Sequence, residues 1–258
     1  MGTFLFDRIV FGPVVSRRLG NSLGINLLPV NKKICNFNCI YCECGLTLHG
    51  SKSSGMPTRE EVRQELEKWL KYNHKSGLPI DSITFAGNGE PTLHPAFAEI
   101  IDDTVRLRDL YNKPVKIAVL SNATSISNEK IFTALWKTDL NILKLDSGFE
   151  ETLNRINCPE VKFNLNETVA WLKKFKGNLI IQTLFFKGRI HNQPIDNTTP
   201  EEIEKWLDTI DQIKPESIMI YTIARDTPFK ELVKTDYEEL QAIASKAVQR
   251  GFKVQISA

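Results

Sequence analysis

Residues 34–45 read I-C-N-F-N-C-I-Y-C-E-C-G, and the interpretation of the whole chain starts from them. They contain four of the five cysteines, and Cys35, Cys39 and Cys42 form a C-x3-C-x2-C array with an aromatic residue, Tyr41, before the third cysteine. Three thiolates on one short loop can ligate three irons of a cubane cluster that ordinarily takes four cysteines. An open metal position distinguishes a site built for chemistry from a structural one. The array therefore predicts a reactive iron–sulfur centre.

The composition is that of an ordinary globular protein, with 41% hydrophobic and 25% charged residues in 258. No apolar run approaches the ~20 residues that a membrane span requires. The start of the chain carries Asp7 and lacks the apolar region of a secretory signal. An odd number of cysteines, four of them within ten residues, argues against a disulfide framework. We therefore expect a cytoplasmic protein that makes no contact with a membrane.

Positive charge is concentrated in the first 59 residues, which carry seven Lys or Arg against two acids, whereas the whole chain has a formal charge of +2. These cations are Arg8, Arg17, Arg18, Lys32, Lys33, Lys52 and Arg59. A basic collar around the cysteines would favour an anionic ligand, an anionic substrate or a nucleic-acid backbone. A solvated surface patch explains the same charge. The sequence leaves both interpretations open.

Strand-like and helix-like segments alternate along the chain. Strands are predicted over 23–30, 80–86, 115–120, 141–145, 179–185, 217–221 and 252–256, and helices over 58–70, 95–110, 127–136, 167–175, 201–213 and 237–250. This alternation implies a parallel sheet with right-handed crossovers. The Gly- and Pro-containing residues 11–22 are interpreted as a loop.

Unusual polar segments follow four consecutive predicted strands. They are the cysteine loop, G-N-G-E at 87–90, S-N-A-T at 121–124 and K-L-D-S-G at 144–148. Because the carboxyl ends of parallel strands meet at one edge of the sheet, these segments are predicted to share one pocket.

Lys144 and Asp146 point the same way by strand alternation, into the barrel if Leu143 and Leu145 pack under the helices. Lys144 could bind an anionic substrate or form a Schiff base, and a plain buried salt bridge with Asp146 is an equal alternative. The candidates for catalysis or substrate contact are Lys144, Gln182, Arg189 and Arg225, with Thr183, Lys187, His191 and Asp226 nearby in sequence. Solvated loops are the alternative for those beyond the strands.

C-N-F-N-C-I-Y-C resembles the C-x3-C-x-aromatic-C motif of the radical S-adenosylmethionine (radical SAM) superfamily, and G-N-G-E-P-T resembles its Gly-Gly-Glu element with Asn88 in place of a glycine. G-P-V-V-S-R-R-L-G-N-S-L-G-I-N and K-L-D-S-G-F-E-E-T-L-N-R-I-N-C-P resemble the branch that includes wyosine-type tRNA synthases and uncharacterised relatives. The resemblance runs from about Phe11 to the last strand. It implies an α/β fold, a partial (β/α)6 TIM barrel, as a single domain over 1–258, with an N-terminal extension (1–22) packed on a barrel core (23–258).

The resemblance also implies the cofactors. A [4Fe-4S] cluster on Cys35, Cys39 and Cys42 would reductively cleave S-adenosylmethionine to a 5′-deoxyadenosyl radical that abstracts hydrogen from a substrate, with flavodoxin or ferredoxin as reductant. The residues that the resemblance assigns to SAM are Tyr41, Gly87, Asn88, Gly89, Glu90, Ser121, Asn122 and Asp146. Tyr41 would lie near adenine, Asp146 near the ribose, and Glu90 or its neighbouring carbonyls near the methionine ammonium.

Three hypotheses about the substrate and class stay open. The first is a radical SAM enzyme acting on tRNA or another anionic substrate, and the second is one acting on a protein or small metabolite. The third is a non-enzymatic zinc module that uses Cys44 or His49 as its fourth ligand. Cys44 and Cys158 have no assigned role, and His94 is expected either to be a ligand or to lie at the start of a helix.

Overall fold

The computed structural model describes residues 4–47 and 55–258. Within these ranges the chain forms eleven strands, seven helices and a short 3-10 turn at Pro91–Leu93. The strands are β1 (Val10–Ser16), β2 (Gly20–Ile25), β3 (Ser82–Phe85), β4 (Lys116–Ser121), β5 (Leu140–Lys144), β6 (Ile180–Leu184), β7 (Phe186–Ile190), β8 (Gln193–Asp196), β9 (Ser217–Tyr221), β10 (Leu232–Lys234) and β11 (Val254–Ser257). The helices are α1 (Arg59–Ser76), α2 (Phe97–Tyr111), α3 (Glu129–Trp136), α4 (Glu150–Asn157), α5 (Leu165–Lys174), α6 (Pro200–Ile213) and α7 (Tyr237–Gln249). None of these helices is long and apolar enough to cross a bilayer.

Eight of the described strands form one sheet in the order β1-β2-β3-β4-β5-β6-β9-β11. β1 is antiparallel to β2, and every later pair is parallel. Helices connect the parallel strands, and the sheet curls into a half-barrel. The predicted α/β partial (β/α)6 barrel is confirmed.

The main core lies between the sheet and its helices. Leu143 and Leu145 belong to it, together with Trp206 of α6 and the apolar face of α1. Burying a large apolar side chain contributes roughly 1.5–3 kcal/mol, so this layer is the main source of stability. The other face of the sheet carries a smaller cluster of Ala118, Ile142, Ile180 and Met219, on which Leu19 packs. This face lines the inside of the half-barrel, which we call the lumen.

The ends of two helices follow their sequence signals. The Thr58 hydroxyl accepts a hydrogen bond from Glu61 N (3.2 Å), and the Glu61 carboxylate accepts one from Thr58 N (2.6 Å), which completes the capping box of α1. Pro200 occupies the first turn of α6, where its missing N–H is not needed.

The interpretation of residues 11–22 as a loop is wrong. They form most of the β1–β2 hairpin, and β2 runs from Gly20 to Ile25, whereas the sequence predicted a strand over 23–30. Gly24, which lies inside the predicted strand, is required for packing, because a Cβ there would lie 2.0 Å from the ring of its cross-strand partner Phe11. Helix α4 and strands β7, β8 and β10 were also not predicted.

Strands β10, β7 and β8 form a second, antiparallel sheet that continues from the carboxyl end of β6. Phe186 and Ile195 of this small sheet pack with Phe37 and Ile40 of the cysteine segment in a separate apolar cluster. The small sheet therefore covers the cysteines at the mouth of the barrel.

Candidate active site

The cysteine loop, residues 33–45, is attached to the rest of the protein on two sides. Ile34 N donates to Asn88 O (2.9 Å) and Glu90 N donates to Ile34 O (3.0 Å), which joins it to the glycine-rich segment after β3. On the other side, Asn38 N donates to Cys158 O (3.1 Å) at the end of α4. The backbone thus fixes the loop between β3 and α4 before any ligand is considered.

The glycines of G-N-G-E are required by this attachment. Gly89 has φ +134°, and a Cβ there would lie 1.8 Å from Ile34 O. At Gly87 a Cβ would lie 2.4 Å from the Asn26 amide oxygen. Glycine permits such backbone contact. Gly89 thus serves the contact with the cysteine loop and Gly87 the contact with the Asn26 side chain, and the predicted approach of both glycines to SAM stays a prediction.

The side chain of Asn88 binds protein backbone. Its oxygen accepts from Phe6 N (2.8 Å), and its nitrogen donates to Phe6 O (2.9 Å) and Pro29 O (2.8 Å). Asn88 therefore holds the N-terminal segment, and its predicted contact with SAM would have to come from its backbone.

Glu90 links the ends of β3 and β4. Its buried carboxylate accepts from Thr92 N (3.1 Å), the Ser121 hydroxyl (2.8 Å) and Asn122 N (2.7 Å). Burial raises the pKa of Glu90, and these hydrogen bonds oppose that rise. The Asn122 amide donates to Asn36 (2.7 Å) and towards Cys35 Sγ (3.7 Å). The end of β4 therefore reaches the cysteine loop, as the shared-pocket prediction requires.

Lys144, Tyr41 and Asp146 form a buried network at the end of β5. Leu143 and Leu145 pack in the outer core, so Lys144 and Asp146 face the lumen as predicted. Lys144 donates to the Tyr41 hydroxyl, Tyr41 donates to Asp146, and the Lys144–Asp146 ion pair measures 3.4 Å.

This network shifts the pKa values of Lys144 and Tyr41. Burial acts to lower the pKa of Lys144, but Asp146, Tyr221 and Cys39 together outweigh burial and hold that pKa above its usual range. The amine stays protonated, which favours the salt-bridge and anion-binding readings over a Schiff base. Burial raises the pKa of Tyr41 well above its usual range, and Asp146 adds to the rise. The predicted contacts of Tyr41 with adenine and of Asp146 with ribose stay predictions.

Asn157, the last residue of α4, joins this network and was missed from the sequence. Its amide nitrogen donates to Asp146 (2.7 Å) and to Cys39 Sγ (3.4 Å). Its amide oxygen is buried and has no hydrogen-bond partner within the described chain. An orphaned acceptor beside a cysteine suits a ligand that donates hydrogen bonds. Its only sequence signal was its place in I-N-C-P.

Burial dominates the chemistry of two of the three thiols. It raises the pKa of Cys35 to about 12 and that of Cys39 to about 11. A hydrogen bond from Cys44 lowers the pKa of Cys42 despite burial, and the charge of Lys33 adds to this effect. The pKa of Cys44 is raised in turn, and its Sγ also donates to Gly87 O (3.5 Å). Of the three thiols in the C-x3-C-x2-C array, Cys42 is thus the one that ionises most readily.

Lys33 is buried among these cysteines, and no sequence pattern indicated it. It is 5% exposed, and its Nζ donates to Gly45 O (2.9 Å). Burial acts to lower its pKa, but attraction to the negative charge that the cysteines carry when ionised, Cys42 first, leaves that pKa raised. Across residues 4–47 and 55–258 it has no carboxylate partner. A buried cation requires a compensating anion, and a cubane held by three thiolates is anionic, so these residues fit such a cluster.

No set of three or more His, Cys, Asp or Glu side chains in the described ranges is gathered closely enough to ligate a single metal ion. Ligands of one zinc lie about 3.8 Å apart, since each Zn–S bond is about 2.3 Å. A cubane needs wider spacing, because each thiolate binds a different iron. The zinc alternative that uses Cys44 stays a prediction, and His49, the other proposed fourth ligand, lies outside the described residues.

Of the remaining candidates, only Gln182 lies in the lumen, where it accepts from Arg18 Nη1 (2.9 Å). Arg189 is exposed on β7 and lines a surface cavity of about 390 Å³ with His191 and Lys230. Arg225 pairs with Glu43 (2.7 Å) at the surface. The structure does not bring these two arginines to Lys144.

The other polar residues considered from the sequence have structural contacts. Thr183 accepts from the Trp206 indole (3.0 Å), Lys187 pairs with Glu239 (3.0 Å), and Asp226 pairs with Lys230 (3.2 Å).

His94 lies before α2 as one alternative predicted, with its ring bonded to Pro57 O (2.7 Å) and Ala96 N (3.1 Å). Cys158 caps α4, and its Sγ donates to Arg155 O (3.4 Å).

The first 59 residues do not form one basic surface. Lys33 is buried, Arg18 reaches into the lumen, and Arg59 pairs with Asp103 (2.6 Å). Lys52 lies outside the described residues. Part of the positive charge is therefore directed inward, because these side chains find partners or apolar contacts there.

Residues 33–193 match the family described as the Radical SAM superfamily. The match covers more than half of the chain, and the chain belongs to the radical SAM superfamily, which confirms the resemblance. Within it the chain groups with the UPF0026 proteins. The UPF0026 protein of Helicobacter pylori strain J99 is 32% identical over 228 residues, which cover 86% of this chain and 68% of that protein.

Another relative is much longer than the aligned region. A Brachyspira hyodysenteriae protein named GTPase Obg is 31% identical over 252 residues, 96% of this chain but 34% of that protein. The chain thus spans about a third of this relative and about two thirds of the Helicobacter protein.

The fold is shared with a crystal structure of a radical SAM methyltransferase from Sphaerobacter thermophilus, with a TM-score of 0.67 at 13% identity over 92% of this chain and 65% of that one.

Proposed function

We propose that this protein is a radical SAM enzyme in which Cys35, Cys39 and Cys42 hold a [4Fe-4S] cluster, SAM binds beside it, and the substrate is anionic. The observation that carries the proposal is the buried Lys33, a cation that lies among three cysteines and has no carboxylate partner in the part of the chain that the structure describes. When bound, the cluster supplies the low-potential electron that cleaves SAM to methionine and a 5′-deoxyadenosyl radical, which takes hydrogen from the substrate.

The protein's own residues support this chemistry in three ways. Lys33 compensates the negative charge at the cysteines. The apolar cluster of Phe37, Ile40 and Phe186 excludes water from the same place. The orphaned oxygen of Asn157 is available to a donor on the cofactor. The backbone of the glycine-rich segment is the element closest to Ile34, so we assign the methionine end of SAM to it.

The substrate is the less constrained part of the proposal. tRNA is the first candidate because the chain resembles a tRNA-modifying branch and carries cations directed at the lumen. A protein or small metabolite is the alternative. We expect a cytoplasmic enzyme reduced by a flavodoxin or ferredoxin.

Anaerobic reconstitution with iron and sulfide tests the cluster. Wild-type protein should bind about four irons and show an EPR signal that changes when SAM is added. Cys35→Ala should lose the signal, whereas the matched control Cys44→Ala should keep it. Full iron content in Cys35→Ala, or its loss in Cys44→Ala alone, would contradict the ligand assignment.

Mass spectrometry of tRNA nucleosides from cells with and without the gene tests the substrate. A nucleoside that disappears with the gene supports tRNA. Identical profiles exclude tRNA and leave the protein or small-metabolite alternative.

A further inference from the structure

Arg18 occupies the turn of the β1–β2 hairpin, at the amino-terminal end of the barrel strands. Ser16 Oγ accepts hydrogen bonds from Arg18 N (3.3 Å) and Leu19 N (3.2 Å), which shapes the turn. Leu19 O accepts from the Ser82 hydroxyl (3.2 Å), and Arg18 O accepts from the Gln255 amide (3.2 Å). These bonds anchor the turn to strands on both sides of the opening of the half-barrel.

From this fixed turn the Arg18 side chain extends into the lumen. Its Nη1 donates to Gln182 Oε1 (2.9 Å), and its guanidinium lies 4.4 Å from the centre of the Tyr221 ring. Both partners are neutral. Within residues 4–47 and 55–258 the guanidinium makes this one side-chain hydrogen bond and has no carboxylate partner, although it carries five N–H donors.

A second cation faces the same space. Lys144 is the register partner of Gln182 on the neighbouring strand, so their side chains project to the same side of the sheet. Among the described residues that contact Lys144 or the Arg18 guanidinium, the one carboxylate is Asp146, which pairs with Lys144. Of these two neighbouring cations, the Arg18 guanidinium is therefore left without an anion.

We propose that Arg18 is a substrate-binding residue and that the guanidinium, with Lys144 beside it, binds a carboxylate or phosphate group of the substrate. A planar guanidinium matches both groups with two parallel hydrogen bonds, which a solvent-facing arginine would not achieve at comparable strength. Gln182 and the Tyr221 ring hold the Arg18 guanidinium in place without neutralising its charge. The anion completes the charge balance of the lumen.

This assignment rests on the proposed function, because it treats the lumen as the substrate site. It also separates two roles of the positive charge near the N-terminus. Lys33 serves the cysteines, and Arg18 serves the substrate. The adjacent Arg17 is exposed, which provides a matched control of the same residue type one position away.

In the test, inorganic phosphate or acetate is added to the reconstituted protein, and the melting temperature is measured by thermal unfolding. A ligand that binds the folded state raises the melting temperature. Phosphate, acetate or both should raise the melting temperature of the wild type and of Arg17→Met by equal amounts. The probe that stabilises more strongly shows whether the site prefers a phosphate or a carboxylate group. Arg18→Met should raise the apparent Kd at least tenfold, a loss of about 1.4 kcal/mol. Arg18→Lys keeps the charge but lacks the planar guanidinium, so its apparent Kd should lie between those of the wild type and Arg18→Met. This variant replaces Arg18→Met in the test if Arg18→Met fails to fold.

An unchanged anion-dependent shift in both Arg18→Met and Arg18→Lys overturns the proposal. So does the absence of any stabilisation of the wild type by either probe. 5′-deoxyadenosine formation is measured in parallel. If the wild type forms none while its anion binding depends on Arg18, the proposed function fails and the anion site stands.

Discussion

Replacing Gly89 by alanine tests how the active-site loops are joined. The φ of +134° is unfavourable for any residue with a Cβ, and the new methyl carbon would lie 1.8 Å from Ile34 O. Real Cβ atoms essentially never approach closer than 3.0 Å, so the two loops must separate by more than an ångström. Separation breaks the hydrogen bonds from Ile34 N to Asn88 O and from Glu90 N to Ile34 O.

The magnitude follows from these two effects. Strained backbone costs about 1–3 kcal/mol, and each lost hydrogen bond costs about 1 kcal/mol. Gly89→Ala should therefore lower the free energy of unfolding by about 3–5 kcal/mol. Gly251→Ala is the matched control, since Gly251 has φ +92° and no atom within 4 Å of the added Cβ. It should show the backbone effect alone, about 1–3 kcal/mol.

Urea unfolding followed by circular dichroism measures both variants by linear extrapolation. Reconstitution should also give less bound iron in Gly89→Ala than in Gly251→Ala, because the cysteine loop has lost its anchor. If the two variants unfold within about 0.5 kcal/mol of each other and bind equal iron, the loop attachment described above is wrong.

Three further predictions concern single side chains. Burial lowers the pKa of His94, and its Nδ1 accepts a hydrogen bond from Ala96 N, so the free energy of unfolding should fall as the pH drops below about 6.5. The difference in free energy of unfolding between wild type and His94→Gln should therefore shrink below that pH. A difference that stays constant with pH would contradict this. Lys33→Met removes a charge at the cysteines, so EPR-monitored titration should give a more negative cluster potential, and an unchanged potential would refute it. Asn88→Gly should lose about 1–3 kcal/mol in urea unfolding, because both bonds to Phe6 disappear; equal stability would count against this role.

The fold was predictable because each parallel strand is short, apolar and separated from the next by a helix with clear end signals. Thr58 with Glu61 and Pro200 marked helix starts that the structure reproduces. The β1–β2 hairpin was not predictable in the same way. The glycines and the proline of residues 11–22 indicate a loop locally, and the pairing of β1 with β2 becomes visible only in the tertiary structure.

The site was predictable where chemistry depends on sequence spacing and unpredictable where it depends on side-chain direction. The cysteine array and the polar strand ends follow from spacing. Arg18 and Lys33 look like any surface cations in a basic segment, and only the tertiary structure shows that they point inward. Asn88 and Glu90 were correctly placed near the cysteines, but their side chains bind backbone and neighbouring hydroxyls.

The central claim is that this chain cleaves SAM reductively at a cluster held by three cysteines. The most direct measurement is 5′-deoxyadenosine formed from SAM after anaerobic reconstitution and reduction with dithionite. Wild-type protein and Cys44→Ala should form it, and Cys35→Ala should not. Formation of equal amounts by Cys35→Ala, or none by reconstituted wild type that contains a full cluster, would contradict the account.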